Sequence, residues 1–204
     1  MHIQIFNSNQ NDLLPLVKQF KKEFYLVGGT AIALHLGHRR SIDFDLFKFN
    51  ALKPKNIIST ISEYKYTYNV SRRVTEQLNV TIHDVKFTFF QYPFKIKATE
   101  KLGDILYLPT LIDLAAMKAY ALGRRSKWKD YVDLYYILNG NFTIKQVSDR
   151  SADIFGQLFC EKLFRAQLSF FDDIDFSEPV EFIGNPVSET IIKDFLINSA
   201  TDII

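Results

Sequence analysis

The sequence contains a single cysteine, Cys160, so no disulfide can form within the chain. A lone thiol is typical of proteins from a reducing compartment, and we expect a cytoplasmic protein. No stretch approaches the run of about eighteen apolar residues that a membrane helix needs. The first ten residues also lack the basic and then apolar order of a secretory signal. We therefore expect no membrane partner.

Three catalytic motifs are missing as well: the GxSxG elbow, the Walker lysine motif and the CxxC pair. Their absence argues against a serine hydrolase, a P-loop enzyme and a thiol oxidoreductase. The formal net charge is only +2, so the overall charge does not indicate a nucleic-acid-binding protein. Any such function must rest on local clusters of basic residues.

What the sequence does have is enough apolar surface for a packed core, with 47% hydrophobic residues and 19 phenylalanines in 204 residues. The first half alternates helical and strand patterns. We predict helices over Leu13–Lys22, capped by Asn11 and Asp12, and over Pro54–Tyr64. We predict further strands over Tyr66–Ser71, Gln77–His83 and Val85–Gln91, the last two joined as a tight hairpin through His83 and Asp84.

From about Lys95 the pattern becomes helical. We predict helices over Leu111–Leu122 (closed by Gly123), Thr143–Phe155, Gln157–Phe170 and Ser188–Asn198, from their caps and apolar spacing. A further helix, capped by Ser126, is predicted to run through Leu138. The sequence therefore predicts an α+β fold, with a mixed sheet in residues 1–94 and a helical C-terminal domain in residues 95–204.

The stretch Phe24–Phe47 carries the clearest chemical signal. A strand over Phe24–Val27 stops at Gly28 and Gly29, and a helix starting at Thr30 follows and ends at Gly37. Glycines and a hydroxyl at a helix start let backbone N–H groups approach a phosphate.

A second predicted strand, Ile42–Phe47, completes this stretch. Its alternation places Asp43 and Asp45 on one face, about 7 Å apart. Such a carboxylate pair can bind Mg²⁺ or Mn²⁺, the cation that accompanies a nucleoside triphosphate.

Together these five residues, Gly28, Gly29, Thr30, Asp43 and Asp45, resemble the signature of the DNA polymerase β-like nucleotidyltransferases. Three later stretches narrow the resemblance: Val85–Phe94, Ile105–Leu138 and Ser169–Asp175 are similar to the AbiEii/AbiGii-type toxin nucleotidyltransferases of bacterial abortive-infection and toxin-antitoxin systems. The resemblance implies a nucleotidyltransferase palm, an NTP substrate, RNA or a tRNA end as acceptor, and a cognate antitoxin as partner.

The resemblance also implies roles for Lys118, which would contact the nucleotide phosphates, and for Asp130 and Asp133, which would complete the active site. From the residues alone, Lys118 lies beside an apolar helix face, from which its ammonium could reach an anion or simply solvent. Asp130 and Asp133 share one helix face, and they could instead orient Lys129 or Arg125 or cap the basic end.

One position departs from the family pattern. The superfamily usually carries a third carboxylate on the strand beside the aspartate pair, and the pattern places it at Thr88. A threonine cannot act as the base that deprotonates the acceptor hydroxyl, and losing such a base costs about a hundredfold to ten-thousandfold in rate. Asp84, four residues away on a strand, is about 13 Å distant and too far to substitute.

Two basic clusters remain. His38, Arg39 and Arg40 precede the aspartates, and they either hold the triphosphate or an RNA phosphate or form a solvated turn. The other cluster suits a nucleic-acid backbone with a base stacked on the indole, although the indole could equally anchor its helix. It consists of Arg124, Arg125, Lys127, Trp128 and Lys129. The spacing of His35 and His38 could serve a metal, but no further zinc-site residue follows.

The sequence therefore predicts a Mg²⁺-dependent nucleotidyltransferase that moves NMP from an NTP to an acceptor hydroxyl. Arg39 and Arg40 are predicted to join the glycine turn and Lys118 in binding the nucleotide. Two alternatives stay open. One is transfer to a small molecule such as an antibiotic, and the other is a catalytically impaired nucleotide-binding module that acts through a protein partner.

Overall fold

A computed structural model describes residues 1–122 and 124–202. The chain divides into two compact units. One, here called the sheet unit, comprises Met1–His35 and Ser41–Thr110. The other, the helical unit, comprises Leu36–Arg40 and the chain from Leu111 onward.

The strands of the sheet unit form one mixed sheet of seven strands in the order β3-β4-β5-β2-β1-β7-β6, which confirms the predicted α+β class. They are β1 (Tyr25–Val27), β2 (Phe44–Lys48), β3 (Tyr68–Arg73), β4 (Gln77–Ile82), β5 (Val85–Gln91), β6 (Ala98–Leu102) and β7 (Leu106–Pro109). Neighbours pair antiparallel, except that β2 runs parallel to β5 and β1 runs parallel to β7.

The two faces of the sheet differ in character because side chains alternate along each strand. On β5, Val85, Phe87 and Phe89 are buried in the core, where Phe89 packs edge-on against Phe20 at the end of the first helix. The intervening Lys86, Thr88 and Phe90 lie on the opposite face. Since residues paired in register share a face, this face also carries Asp45, Phe47, Gln77, Asn79 and Thr81, and we call it the Asp45 face.

Three α-helices accompany the sheet: α1 (Ser8–Gln19), α2 (Gly28–Leu36) and α3 (Pro54–Glu63). The prediction that Asn11 and Asp12 cap the first helix was wrong. Asn7 is the cap, because its side chain accepts a hydrogen bond from the backbone N–H of Gln10, while the Gln10 side chain accepts one from Asn7. This reciprocal capping satisfies two donors at once and starts the helix at Ser8, five residues before the predicted start.

The predicted hairpin between β4 and β5 is confirmed. His83 and Asp84 have φ angles of 48° and 63°, the left-handed pair that a two-residue hairpin turn requires. The last ladder pair before the turn is Ile82 with Val85. This turn fixes the register that sets Thr88 and Asn79 opposite one another.

The predicted boundary between residues 94 and 95 was wrong, because two further strands join the sheet. Strand β7 pairs with β1 through Tyr107 and Tyr25, and β6 forms the outer edge beside β7. The sheet unit therefore extends to Thr110. Strand β6 is short, charged and largely exposed, so it carries little of the apolar alternation from which a strand is predicted.

The helical unit contains α4 (Leu111–Leu122), α5 (Trp128–Leu138), α6 (Ile144–Phe155), α7 (Glu161–Leu168) and α8 (Glu189–Thr201), as the pattern predicted. Thr143 and Ser188 cap α6 and α8. Ser126 does not cap α5, since its hydroxyl donates to Asp173 instead. Gly123, predicted to close α4, lies outside the described residues. No helix in the described part of the chain is both long and apolar enough to cross a membrane.

Candidate active site

The glycine turn and Asp45 are in direct contact. Gly28 has a φ angle of 71°, and a β-carbon placed on it would lie 2.1 Å from Oδ2 of Asp45. Asp45 pairs in register with Val27, the residue before this turn. The carboxylate therefore occupies space that any side chain at position 28 would fill, and glycine is required there for both its conformation and its size.

Helix α2 begins at Gly28 rather than at Thr30 as predicted, so Gly28 and Gly29 form its first turn. The first N–H groups of a helix have no partner within that helix. Together with the helix dipole they make a site that favours anions. The start of α2 thus sets backbone donors beside a carboxylate, an arrangement suited to an anion that arrives with its own cation.

Thr30 fixes the loop before β2. Its hydroxyl is buried and donates to the carbonyl oxygen of Asp43 over 2.5 Å. Because that hydroxyl has one proton, the contact of 2.9 Å with Ser41 must use the Ser41 proton. The Thr30 side chain thus holds Asp43 in place, and its predicted contact with phosphate stays a prediction.

The two aspartates flank Phe44. Strand β2 begins at Phe44 and not at Ile42, so Asp45 lies within the strand while Asp43 directly precedes it. Both carboxylates are half-buried. The pair thus lies where the loop held by Thr30 enters the strand.

Thr88 lies beside Asp45, as the family pattern implied. The parallel pairing of β2 with β5 sets Asp45 opposite Thr88, and the pairing of β5 with β4 sets Thr88 opposite Asn79. Among residues 1–122 and 124–202, no three Asp, Glu, His or Cys side chains gather as a set of metal ligands. The site therefore offers two carboxylates where the superfamily usually has three.

Asn79 was not among the predicted site residues; it is buried and accepts a hydrogen bond of 2.9 Å from the Gln77 side chain. A signal for it existed. Gln77, Asn79 and Thr81 alternate with Leu78, Val80 and Ile82. That alternation predicts a polar face on this strand.

In the helical unit, the predicted residues Lys118, Asp130 and Asp133 form a buried ion-pair network with His38 and Arg39. The Lys118 ammonium lies 2.7 Å from Asp130 and 3.0 Å from Asp133. Arg39 binds Asp133 with two hydrogen bonds of 2.8 and 2.9 Å. The Nε2 atom of His38 lies 2.8 Å from the same carboxylate. The Asp133 side chain has no exposed surface.

Opposite charges keep Asp133 and Lys118 ionised in spite of their burial. Burial alone would raise the pKa of Asp133, but the charges of Arg39 and Lys118 and the hydrogen bonds from His38 and Arg39 outweigh burial and hold this pKa well below its usual value. Burial would likewise lower the pKa of Lys118, yet Asp130 and Asp133 raise it. The opposite charges compensate one another where solvent is excluded.

These contacts decide between several of the alternatives. Lys118 is not a solvated surface lysine, and His38 and Arg39 do not belong to a solvated turn, since all three are buried. Of the two basic partners predicted for the acidic pair, Arg125 binds Asp130 at 2.9 Å, whereas Lys129 lies near Glu178. The phosphate contacts predicted for Lys118 and Arg39 stay predictions.

The remaining predicted residues have ordinary surroundings. Arg40 is 38% exposed and pairs with Glu181 at 2.7 Å. His35 contacts the carbonyl oxygen of Pro109, and His38 contacts Asp133, so each histidine of the proposed zinc pair is engaged elsewhere. Trp128 is buried and packs against Phe176, which favours the anchoring role over base stacking.

Comparisons with solved structures agree with the fold. The nucleotidyltransferase toxin MenT4 of Mycobacterium tuberculosis H37Rv superposes with a TM-score of 0.60 over 94% of this chain and 80% of that one, at 15% identity. JHP933 of Helicobacter pylori gives a TM-score of 0.59 over 97% of this chain and 90% of that one, at 14% identity. The fold is thus that of a nucleotidyltransferase.

A family model matches part of the sequence. Residues 16–106 match the model of the family described as nucleotidyl transferase AbiEii toxin, type IV TA system, which confirms the predicted resemblance for the segment that holds Gly28, Asp43 and Asp45. An uncharacterized protein of Aquifex aeolicus strain VF5, aq_aa25, is 32% identical over 123 residues. That alignment spans 57% of this chain and 58% of the relative's length.

The contact between Gly28 and Asp45 predicts the effect of Gly28→Ala. Gly103→Ala is the matched control, because Gly103 lies in the same unit with a φ of 52° and no atom near its would-be β-carbon. The control carries only the left-handed strain, about 1–2 kcal/mol. Gly28→Ala adds an overpacking cost of about 1–3 kcal/mol. Urea denaturation measures both, and equal losses would contradict the contact.

The ion-pair network predicts that Asp133→Asn lowers the free energy of unfolding by about 3–5 kcal/mol, because Arg39 and Lys118 lose a buried counter-charge. Asp153→Asn, on the exposed surface of the same unit, should change it by less than about 0.5 kcal/mol. The folded-state pKa of Asp133 lies below its unfolded value near 3.8, so its stabilisation is present above that pH and lost below it. The difference from wild type should therefore shrink in acid, and a pH-independent difference would contradict the assignment.

Proposed function

We propose that the protein is a Mg²⁺-dependent nucleotidyltransferase that moves NMP from an NTP to a hydroxyl of RNA, as the toxin component of a toxin-antitoxin or abortive-infection system. One observation carries the proposal: the Asp45 carboxylate lies against Gly28 at the start of α2. A donor site for phosphate oxygens thus adjoins a carboxylate suited to a divalent cation.

The residues present fit a divalent cation. Asp43 and Asp45 supply hard oxygen ligands, and the empty side-chain position of Gly28 leaves room for the Asp45 carboxylate beside the phosphate donors. Mg²⁺ usually keeps few protein ligands and takes the rest from phosphate and water, so two carboxylates suffice to hold it. When bound, Mg²⁺ or Mn²⁺ would neutralise charge on the phosphates and on the leaving pyrophosphate.

The chain's own residues would position the reactants. The N–H groups of Gly28 and Gly29 would bind the β- and γ-phosphates, while Thr30 keeps Asp43 at the site. The acceptor oxygen would then form a bond to the α-phosphorus as the bond to the bridging oxygen breaks and pyrophosphate leaves, with the hydroxyl proton released to base or water.

The family likeness adds Lys118 and Arg39 to the phosphate contacts. Within the helical unit, carboxylates hold both cations. Arg40 is the most exposed cation among the predicted phosphate ligands. An RNA acceptor and an antitoxin partner follow from the same likeness, which the toxin name of MenT4 supports.

A second candidate function rests on Thr88. Because the register sets a threonine, not a carboxylate, opposite Asp45, a nucleotide-binding module that acts through a protein partner is the main competitor. Such a module would bind NTP and Mg²⁺ without transferring a nucleotide. The two candidates therefore share the binding step and differ in the product.

The primary test is calorimetric titration of NTP with and without Mg²⁺, followed by incubation with labelled NTPs and total RNA. We expect Mg²⁺-dependent binding that Asp43→Ala weakens by at least about 10- to 100-fold, because a direct ligand is lost. Asp12→Ala, an exposed carboxylate of the same unit, is the control. Unchanged binding in Asp43→Ala would reject the metal site, and binding without label in RNA would favour the nucleotide-binding module.

Thr88→Asp tests the departure from the family pattern. If the wild-type enzyme is slow because no carboxylate takes the acceptor proton, this substitution should raise the single-turnover transfer rate by about 100- to 10,000-fold. Thr81→Asp places the same charge on the same face, one strand further away, and should have no such effect. A wild-type rate that neither variant exceeds would mean that another group serves as the base.

A further inference from the structure

Beyond Asp45, the Asp45 face changes from polar to aromatic. Phe47 follows Asp45 by two residues and Phe90 follows Thr88 by two, and these phenylalanines pair in register with ring centroids 5.1 Å apart. Tyr92 lies 5.3 Å from Phe47, and Phe94 lies 5.2 Å from Tyr92. We call Phe47, Phe90, Tyr92 and Phe94 the aromatic cluster. On this face, Phe47 and Phe90 are the next side chains after Asp45 and Thr88.

Apart from Tyr92, which is buried, the aromatic cluster reaches solvent. Phe47 and Phe90 are half-buried, and Phe49, two residues beyond Phe47, is 46% exposed. The Lys95 ammonium lies 5.5 Å from the centroid of the Phe49 ring. A cation close to exposed aromatic rings is the combination that single-stranded nucleic acids use, since bases stack on rings and phosphates bind cations.

The charge on this face is also one-sided. Lys86 is exposed two residues before Thr88, and Arg72 on β3 pairs in register with Asn79. Within β3, β4 and β5, all of whose residues the structure describes, none of the residues on the Asp45 face is acidic. They are Asn69, Arg72, Gln77, Asn79, Thr81, Lys86, Thr88 and Phe90. The paired residues of these three strands therefore place no carboxylate next to Thr88 on this face.

The in-line geometry of nucleotidyl transfer indicates which reactant would bind on the β5 side of Asp45. The attacking oxygen and the leaving pyrophosphate lie on opposite sides of the α-phosphorus. In the sheet, Asp45 has the glycine turn of β1 on one side and Thr88 of β5 on the other. Phosphates held at Gly28 direct pyrophosphate to the β1 side, so the acceptor enters from the β5 side, where Phe90 and Lys86 lie.

We propose that the aromatic cluster stacks a nucleobase at the end of a single-stranded RNA acceptor, with Lys86, Arg72 and Lys95 contacting its phosphates. The proposal rests on the proposed function, because it names the residues that hold the acceptor of that same site. Stacking on phenylalanine tolerates any base, so the cluster would position the RNA end without strong sequence preference.

The test measures, by fluorescence anisotropy and without NTP, the binding of a labelled single-stranded RNA. Its length of about ten nucleotides is within the range that one single-strand-binding domain covers. Phe47→Leu and Phe90→Leu keep an apolar side chain but remove the ring. Each should weaken RNA binding by about 5- to 100-fold, the loss that removal of one stacked ring produces. Phe90→Tyr keeps an aromatic ring and should therefore bind RNA as the wild type does. Phe170→Leu, an exposed phenylalanine of the helical unit, is the matched control and should not change it.

NTP titration of the same variants identifies what the rings stack. Unchanged Mg²⁺-dependent NTP binding with weakened RNA binding supports the proposal. Weakened NTP binding with unchanged RNA binding would overturn it, because the cluster would then stack the base of the incoming nucleotide. Equal RNA binding by Phe47→Leu, Phe90→Leu and wild type would also overturn it.

Binding of NTP and binding of RNA distinguish the proposed function from the aromatic cluster proposal. If the wild-type protein binds RNA through Phe47 and Phe90 but binds no NTP, the proposed function fails and the RNA surface stands. If it binds NTP with Mg²⁺ but no RNA, the aromatic cluster proposal fails while the nucleotide site stands. Thermal unfolding of each variant separates these outcomes from misfolding, and Phe90→Tyr provides a folded variant that retains the ring.

Discussion

The carboxylate of Asp45 lies where a β-carbon on Gly28 would be, and the geometry of the candidate site follows from this exclusion. A side chain at position 28 would displace the carboxylate or the turn, and with it the start of α2. Because β1 and β2 are paired at Val27 and Asp45, neither strand can shift to make room without breaking the register. The close approach of glycine and carboxylate is therefore built into the sheet itself.

A different constraint governs the helical unit, where two carboxylates and the cations of Lys118 and Arg39 are removed from water together. Buried charges are costly when single and tolerable when matched and hydrogen-bonded. His38 contacts Asp133 through one ring nitrogen, while its other nitrogen is buried without a hydrogen-bond partner in the described structure.

The sequence predicted those elements whose signals are local. The bounds of β5 and α4 agree with the structure residue for residue, because alternation, capping and helical spacing lie within the segments themselves. The hairpin at His83 and Asp84 is local too. Strand β7 was missed because its pairing connects Tyr107 to Tyr25, far away in the chain. Strand β6 was missed because it is charged and exposed and so lacks the apolar alternation of a strand.

The candidate site divides in the same way. Gly28, Asp43 and Asp45 could be named from sequence because turn and carboxylates lie close together along the chain. The burial of Lys118 and Arg39 could not, because their carboxylate partners depend on tertiary packing. The spacing of Asp130 and Asp133 placed them on one helix face. It could not predict whether that face contacts solvent, an anion or Arg39, because the contact depends on residues distant in the sequence.

The position of Arg39 in the chain has a consequence for how the protein is made. Arg39 belongs to the helical unit, yet residues of the sheet unit precede and follow it, and 94 positions separate it from Asp133. During synthesis, all the strands of the sheet leave the ribosome before the carboxylate that neutralises Arg39 exists. Arg39 therefore has to wait for α5 before its charge is neutralised. A fragment that ends at residue 110 would keep Arg39 without its counter-ion. The two compact units therefore do not correspond to two continuous segments of the sequence.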